Sequence, residues 1–246
     1  MAKFEICVTS LQGVNAALEA GADRVELCSG LTEGGLTPSY ALIKRAVEIG
    51  GDALAVNVLI RSRGGDFLYD EDDLEMMLQD IEQAKVLGAK GVVIGALNAD
   101  GTINESFIKE AVTRAQGMTV TFHRAFDMCA DLNAAAKLLH SYHVDYILTS
   151  GGEASAHKGM AKLRELNAEP NHPIYIAAAG VNKTNIAEIA NTTKIEQFHF
   201  SAKDVVKSQM VFTNPCVHMG IPGADEYSNP CTNLSEIRAT MQAING

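Results

Sequence analysis

The sequence has no apolar run approaching the roughly 18 residues needed to cross a membrane, which excludes a helical membrane protein. It has no apolar signal-peptide core either. Met1-Ala2-Lys3-Phe4-Glu5 leads directly into a strand-like pattern, so a soluble, cytoplasmic chain is expected. Positive charge is in deficit, with 20 Lys and Arg against 30 Asp and Glu and a net charge of −10. Such a surface repels phosphate backbones and anionic lipid, so neither nucleic acid nor a membrane is expected as a partner. Cysteine is scarce: there are five, an odd number, and no Cys-x-x-Cys pair. In a cytoplasmic chain these are thiols rather than a disulfide framework. Tryptophan is absent, a lack without functional consequence. No Pro-, Gly- or Ser-rich linker divides the 246 residues, and a hydrophobic fraction of 47% excludes a disordered chain.

What is present is one pattern repeated. Short β-branched, apolar runs fall at residues 4–8, 24–28, 54–60, 91–95, 119–123, 145–149, 174–178 and 197–201. Helical periodicity fills the intervals: between 73 and 87, Leu74, Met77, Leu78, Ile81, Ala84 and Leu87 share one face. Gly21 and Gly88 read as helix C-caps feeding strands, and Asn233 as the N-cap of a last helix over 234–244. Eight βα units in a chain of this length define an α/β fold, a single-domain (β/α)8 TIM-like barrel over 1–246. A long loop is expected at about 202–232, before the last helix. The first βα turn, Val8-Thr9-Ser10-Leu11-Gln12-Gly13, lacks the Gly-x-Gly-x-x-Gly of a dinucleotide site, so no nucleotide cofactor is expected.

In such a barrel, chemistry sits where strands end and βα loops begin. Alternation sends Phe4, Ile6, Val8, Val25 and Leu27 toward the helices. Glu5, Cys7, Glu26 and Cys28 then point inward as two Glu-x-Cys motifs on neighbouring strands. At a strand spacing of about 4.8 Å the two thiols are close enough to share a soft metal such as Cu(I). Packing alone is the other reading, since cysteine is a common small core residue. The inward glutamates need partners, because an unpaired buried carboxylate is costly.

Other strand ends supply candidates. Arg61 and Arg63 follow strand 3; His123, Arg124 and Asp127 follow strand 5; Thr149 and Ser150 end strand 6; Ser201 ends strand 8 beside His199. Glu26, His123 and Asp127 are candidates for acid–base work, with Arg61 and Arg124 holding an anion or oxyanion. Arg63, Thr149, Ser150 and Ser201 complete the candidate ligand contacts. A buried ion-pair network that ties the rim together is the alternative. None of strands 1 to 7 ends in lysine, which weakens a Schiff-base aldolase and leaves Lys203 as the nearest amine. The loop after strand 7 carries Gly180 alone, a weak signal for a phosphate site. Cys216, His218 and Met219 are soft-ligand types within the long loop, and Cys231 lies near its end. His140, His143, His157 and His172 fall on helices or connectors and read as surface residues.

Several of these segments resemble the CutC family: Glu5-Ile6-Cys7-Val8, Gly21-Ala22-Asp23-Arg24-Val25-Glu26-Leu27-Cys28 and Gly34-Gly35-Leu36-Thr37-Pro38-Ser39. So do Ile60-Arg61-Ser62-Arg63-Gly64-Gly65-Asp66-Phe67, Thr121-Phe122-His123-Arg124-Ala125-Phe126-Asp127 and Leu148-Thr149-Ser150-Gly151-Gly152. The match runs from about residue 3 to 202. Ser62 stands where the family commonly has proline, and Gly180 is alone where relatives are richer in glycine. The resemblance implies a cytoplasmic TIM-like barrel linked to copper homeostasis, with copper on Cys7 and Cys28. Two functions follow: a copper-handling protein, or a barrel enzyme of unassigned reaction on a small anionic or carbonyl metabolite. The expected partner is thus a metal ion or a small molecule. A homodimer is the default oligomer.

Overall fold

A computed structural model describes residues 2–214, 216, 217, 219 and 225–245. All eight expected strands form: β1 (Lys3–Val8), β2 (Arg24–Leu27), β3 (Ala55–Leu59), β4 (Gly91–Ile94), β5 (Thr119–Phe122), β6 (Tyr146–Thr149), β7 (Ile174–Ala177) and β8 (Gln197–Phe200). They pair in parallel, in sequence order, into a closed barrel in which β8 returns to β1. Between them run α1 (Leu11–Ala20), α2 (Tyr40–Gly50), α3 (Glu71–Val86), α4 (Glu105–Arg114), α5 (Leu132–Ser141), α6 (Met160–Ala168) and α7 (Ile186–Thr193). An eighth helix, α8 (Leu234–Gln242), follows the last segment.

Local chemistry sets these boundaries. Asp70 accepts from the amide of Asp73, so α3 starts two residues before the apolar periodicity, and its first turn carries Glu71, Asp72 and Asp73. Gly21 ends α1 in the left-handed conformation, at φ 76°. Asn233 caps α8 by accepting from the amides of Ser235 and Glu236. Helix 3 buries Met77, Leu78, Ile81 and Ala84 against the barrel, the stripe that the spacing requires.

Two populations of side chains result. Ile6, Val8, Val25 and Leu27 join the large apolar layer between strands and helices. Inside the barrel are smaller clusters, Cys7–Cys28–Leu59–Val93 and Leu148–Ile176–Ala178, separated by buried polar groups. Tight packing fixes the interior: a Cβ at Gly91 would lie 2.3 Å from Thr119 Oγ1 and 2.5 Å from Asn57 Oδ1. Gly91→Ala should therefore destabilise the barrel by about 1–3 kcal/mol through overpacking. Urea denaturation measures this, and an unchanged midpoint would contradict it.

The stretch expected as a loop at about 202–232 is not loop at its ends. Lys203–Lys207 (β9) and Ser228–Thr232 (β10) pair antiparallel into an exposed two-stranded ribbon. Five residues of alternation are too short to separate a strand from a turn in sequence, and Asn229-Pro230 reads as a turn. Pro230 faces Val205 in a ribbon that has only edges, where a missing N–H is tolerated. Cys216 and Met219 are exposed and Cys231 is half-buried, while His218 lies outside the described residues. His140, His143 and His157 are exposed; His172 is instead half-buried, with its ring 4.6 Å from that of Tyr175.

Candidate functional site

The strand register stacks the inward polar residues in levels, from the strand starts at Arg24 and Gln197 up toward the C-terminal end of the barrel. Glu5 of β1 faces Arg24 on one side and His199 on the other, because β8 closes against β1. Its carboxylate is fully buried and fully used. Oε2 accepts from Arg24 Nε at 2.9 Å and Asn57 Nδ2 at 3.1 Å, and Oε1 lies 2.8 Å from His199 Nδ1. Arg24 continues the network to Gln197 and sits over the Tyr146 ring. One level higher, His199 Nε2 lies 3.7 Å from Glu26 Oε2. The Cys7 and Cys28 sulfurs are 3.6 Å apart, and Cys28 Sγ is 3.7 Å from the Val8 carbonyl. Donor atoms of Cys7, Glu26 and His199 lie within 4.8 Å of one another.

Burial dominates the electrostatics, and the partners decide its outcome. Burial alone would raise the Glu5 carboxyl, but His199 and Arg24 together hold it down at about 2. Burial would likewise lower His199, yet Glu26, Cys7 and Glu5 carry it well above its ordinary 6.5. Burial pushes Glu26 up against the opposing pull of His199, and the Glu5 charge adds to the rise. The hydrogen bond to Cys28, burial and the Glu26 charge raise the Cys7 thiol. Cys7 therefore holds its proton until something replaces it.

These shifts fix a pH dependence of stability. Glu5, depressed from 4.5 to about 2, contributes stability present above about pH 4.5 and lost as pH falls toward 2. His199, raised above 6.5, contributes stability complete below that value and lost as pH rises through its elevated pKa. Urea unfolding across pH should show the acid loss in the natural chain and not in Glu5→Gln; an identical acid limb in both would refute the assignment.

Above this cluster opens a cavity of about 720 Å³, into which Cys7, Glu26, Cys28, Arg61, His123, Arg124, His199 and Ser201 project. Arg61 is buried and donates to the carbonyls of Glu33, Gly35 and Gly65, tying the loops after β2 and β3 together. His123 accepts from the Ala125 amide through Nδ1, and burial, with the charge of Arg61, lowers its pKa to about 3. It is a neutral ring at physiological pH, and Glu26 has His199, not His123, as its imidazole neighbour.

The remaining rim residues lie elsewhere. Asp127 accepts from Thr149 Oγ1, from the Ser150 hydroxyl and amide, from the Gly152 amide and from Arg124 Nε. Thr149, Ser150 and Asp127 thus form a lock between β5 and β6, with Arg124 spanning lock and cavity. Arg63 is held by Asp73 and Asp66 in the loop after β3 and does not line the cavity. His199, which the sequence places on the polar rim at the end of strand 8 but not among the candidate site residues, is the central residue of the cluster. Its signal was the closure rule itself: Phe198 and Phe200 alternate outward, so His199 points inward beside Glu5.

A (β/α)8 barrel whose C-terminal cavity is lined by thiols, an imidazole and a carboxylate has the space and the donor types of a small-ligand site. Comparison with known proteins narrows the class. The family model for the CutC family matches residues 2–204. The chain is 44% identical over 244 residues to a CutC family protein of Bacteroides thetaiotaomicron, covering 98% of each. It is 43% identical over 243 residues to one of Bacteroides fragilis strain ATCC 25285, covering 98% of this chain and 96% of that one. The solved structure of a putative copper homeostasis protein CutC from Streptococcus agalactiae aligns with TM-score 0.78 and 29% identity. That alignment covers 82% of this chain and 99% of the other. This chain belongs to the CutC family. A thiamine phosphate pyrophosphorylase of Pyrococcus furiosus shares the fold alone, with TM-score 0.59 at 15% identity. Among the described residues, no helix is long and apolar enough to cross a membrane.

Proposed function

We propose that this protein binds copper as Cu(I), carried as cargo by the thiols of Cys7 and Cys28 with His199 as a third donor. The observation that supports this best is the 3.6 Å separation of the two sulfurs at the cavity floor. Two metal–sulfur bonds of about 2.3 Å each span that distance. Thiolate and imidazole donors suit Cu(I), and the low coordination number leaves Glu26 as a neighbouring charge rather than a required ligand. Glu5 acts one step behind, holding the His199 ring by Nδ1 so that Nε2 faces Cys7 and Glu26. The copper named for the Streptococcus agalactiae relative supports the same reading. A cytoplasmic homodimer completes the proposal, and light scattering reports its mass.

Titration of the reduced protein against a Cu(I) chelator tests this reading. One Cu(I) per chain is expected. Because the Cys7 proton and the Nε2 proton of the charged His199 must both leave on binding, apparent affinity should rise by at least about a hundredfold per pH unit through the neutral range. Failure to withdraw Cu(I) from the chelator, or a pH-independent affinity, contradicts the proposal.

A further inference from the structure

One wall of the cavity has a different chemistry from the floor. Arg61 is buried to 5% exposure, and its hydrogen bonds go to three uncharged main-chain carbonyls. Among the described residues no carboxylate pairs with it, so its charge is solvated by dipoles but not neutralised. Beside it stands His123, also 5% exposed. Because Nδ1 accepts from the Ala125 amide, the neutral ring carries its proton on Nε2, and this buried N–H has no partner. Such a donor is costly to leave unmade and is rare in folded proteins. Arg61 Nε is likewise without a hydrogen-bond partner.

Both residues line the cavity, and the half-buried Phe67 packs over both. Its ring centroid is 5.0 Å from that of His123 and 5.2 Å from the Arg61 guanidinium carbon. The other two cations of the wall differ: Arg124 is paired with Asp127, and Lys203 is exposed to solvent. The geometry points to a binding subsite for a small organic carboxylate, held by Arg61 and His123 beneath Phe67. A single buried cation plus a neutral N–H donor matches one negative charge spread over two oxygens. A phosphate dianion finds no second buried cation on this wall, since His199 on the floor is engaged by Glu5 and Glu26. The proposal reaches beyond copper: the cavity takes an organic anion on one wall, with the thiol and imidazole donors on its floor. It stands independently of the copper reading, because anion and metal are titrated separately.

The probe is glycolate, with ethylene glycol as its neutral counterpart and inorganic phosphate as the competing anion class. Calorimetry on the full chain should show saturable glycolate binding and none for ethylene glycol. His123→Asn keeps an acceptor for the Ala125 amide but removes the Nε2 donor. It should weaken glycolate at least about tenfold, the loss of one hydrogen bond to a charged group. Arg61→Met should abolish binding. As Arg61 also ties two loops, a second measurement avoids variants altogether: in natural protein labelled with nitrogen-15 at histidine, saturating glycolate should shift the Nε2–H resonance of His123. An unmoved resonance, undiminished affinity in His123→Asn, or phosphate binding tighter than glycolate overturns the carboxylate subsite.

Discussion

Cys7→Ser/Cys28→Ser is expected to lower Cu(I) affinity by well over ~100-fold, since changes merely behind a metal's ligands already cost 10- to 100-fold. The two sulfurs are adjacent at 3.6 Å, and each is buried, so neither is replaced by a thiol swinging in from the surface. Cys28→Ser alone should cost less than the pair, because Cys7 would retain His199 and Glu26 within reach. His199→Phe should fall between, by removing the imidazole while keeping an aromatic ring in the barrel. A serine hydroxyl at a fully buried position lacks the polar surroundings it needs, so Cys7→Ala/Cys28→Ala should be made in parallel. Circular dichroism then confirms that both pairs fold. Cys216→Ser/Cys231→Ser removes the two thiols that follow β9 and should leave the high-affinity site as it was, because these lie outside the cavity lining. Chelator competition at fixed pH gives the ranking. Natural affinity in the Cys7/Cys28 double variants would remove the basis of the proposal.

The barrel was legible in sequence because its signals are local and repeated. Most strands are short apolar runs bounded by a glycine cap or a capping side chain, and eight of them leave few alternatives. The Cys7–Cys28 pair was legible for a related reason: alternation on adjacent parallel strands is a one-dimensional rule. His199 was harder, because its importance depends on β8 meeting β1 across nearly the whole chain. The rim was harder still. Thr149, Ser150 and Asp127 are polar residues at strand ends, the signature of a site, yet here they bind one another across the β5–β6 junction. Residue type gives the chemistry a side chain is capable of, whereas its hydrogen-bond partners decide whether that capacity is free. The ribbon of β9 and β10 escaped for want of periodicity, since five exposed residues carry no burial pattern.

Glu5→Ala is the substitution expected to harm the fold most. The carboxylate is fully buried and is shared by Arg24, Asn57 and His199, so its removal leaves the Arg24 charge and the His199 charge facing one another inside the barrel. Breaking a buried pair from one side typically costs about 3–5 kcal/mol, more than the pair itself contributes over an apolar replacement. For a chain of 246 residues that lowers the melting temperature by roughly 6–20 °C. Glu5→Gln should cost less, as it fills the same volume and can still accept from Arg24 or Asn57. A double-mutant cycle with Arg24→Ala separates charge from cavity: because the second substitution removes the stranded cation, the double variant should be less destabilised than the sum of the two singles. Additive losses would mean that Glu5 stabilises the barrel by packing alone. The same substitution reaches the cavity floor. His199 loses the contact that fixes its ring, so copper affinity should fall even in the fraction that remains folded. Thermal unfolding and Cu(I) competition on one preparation therefore read the two consequences of a single buried carboxylate.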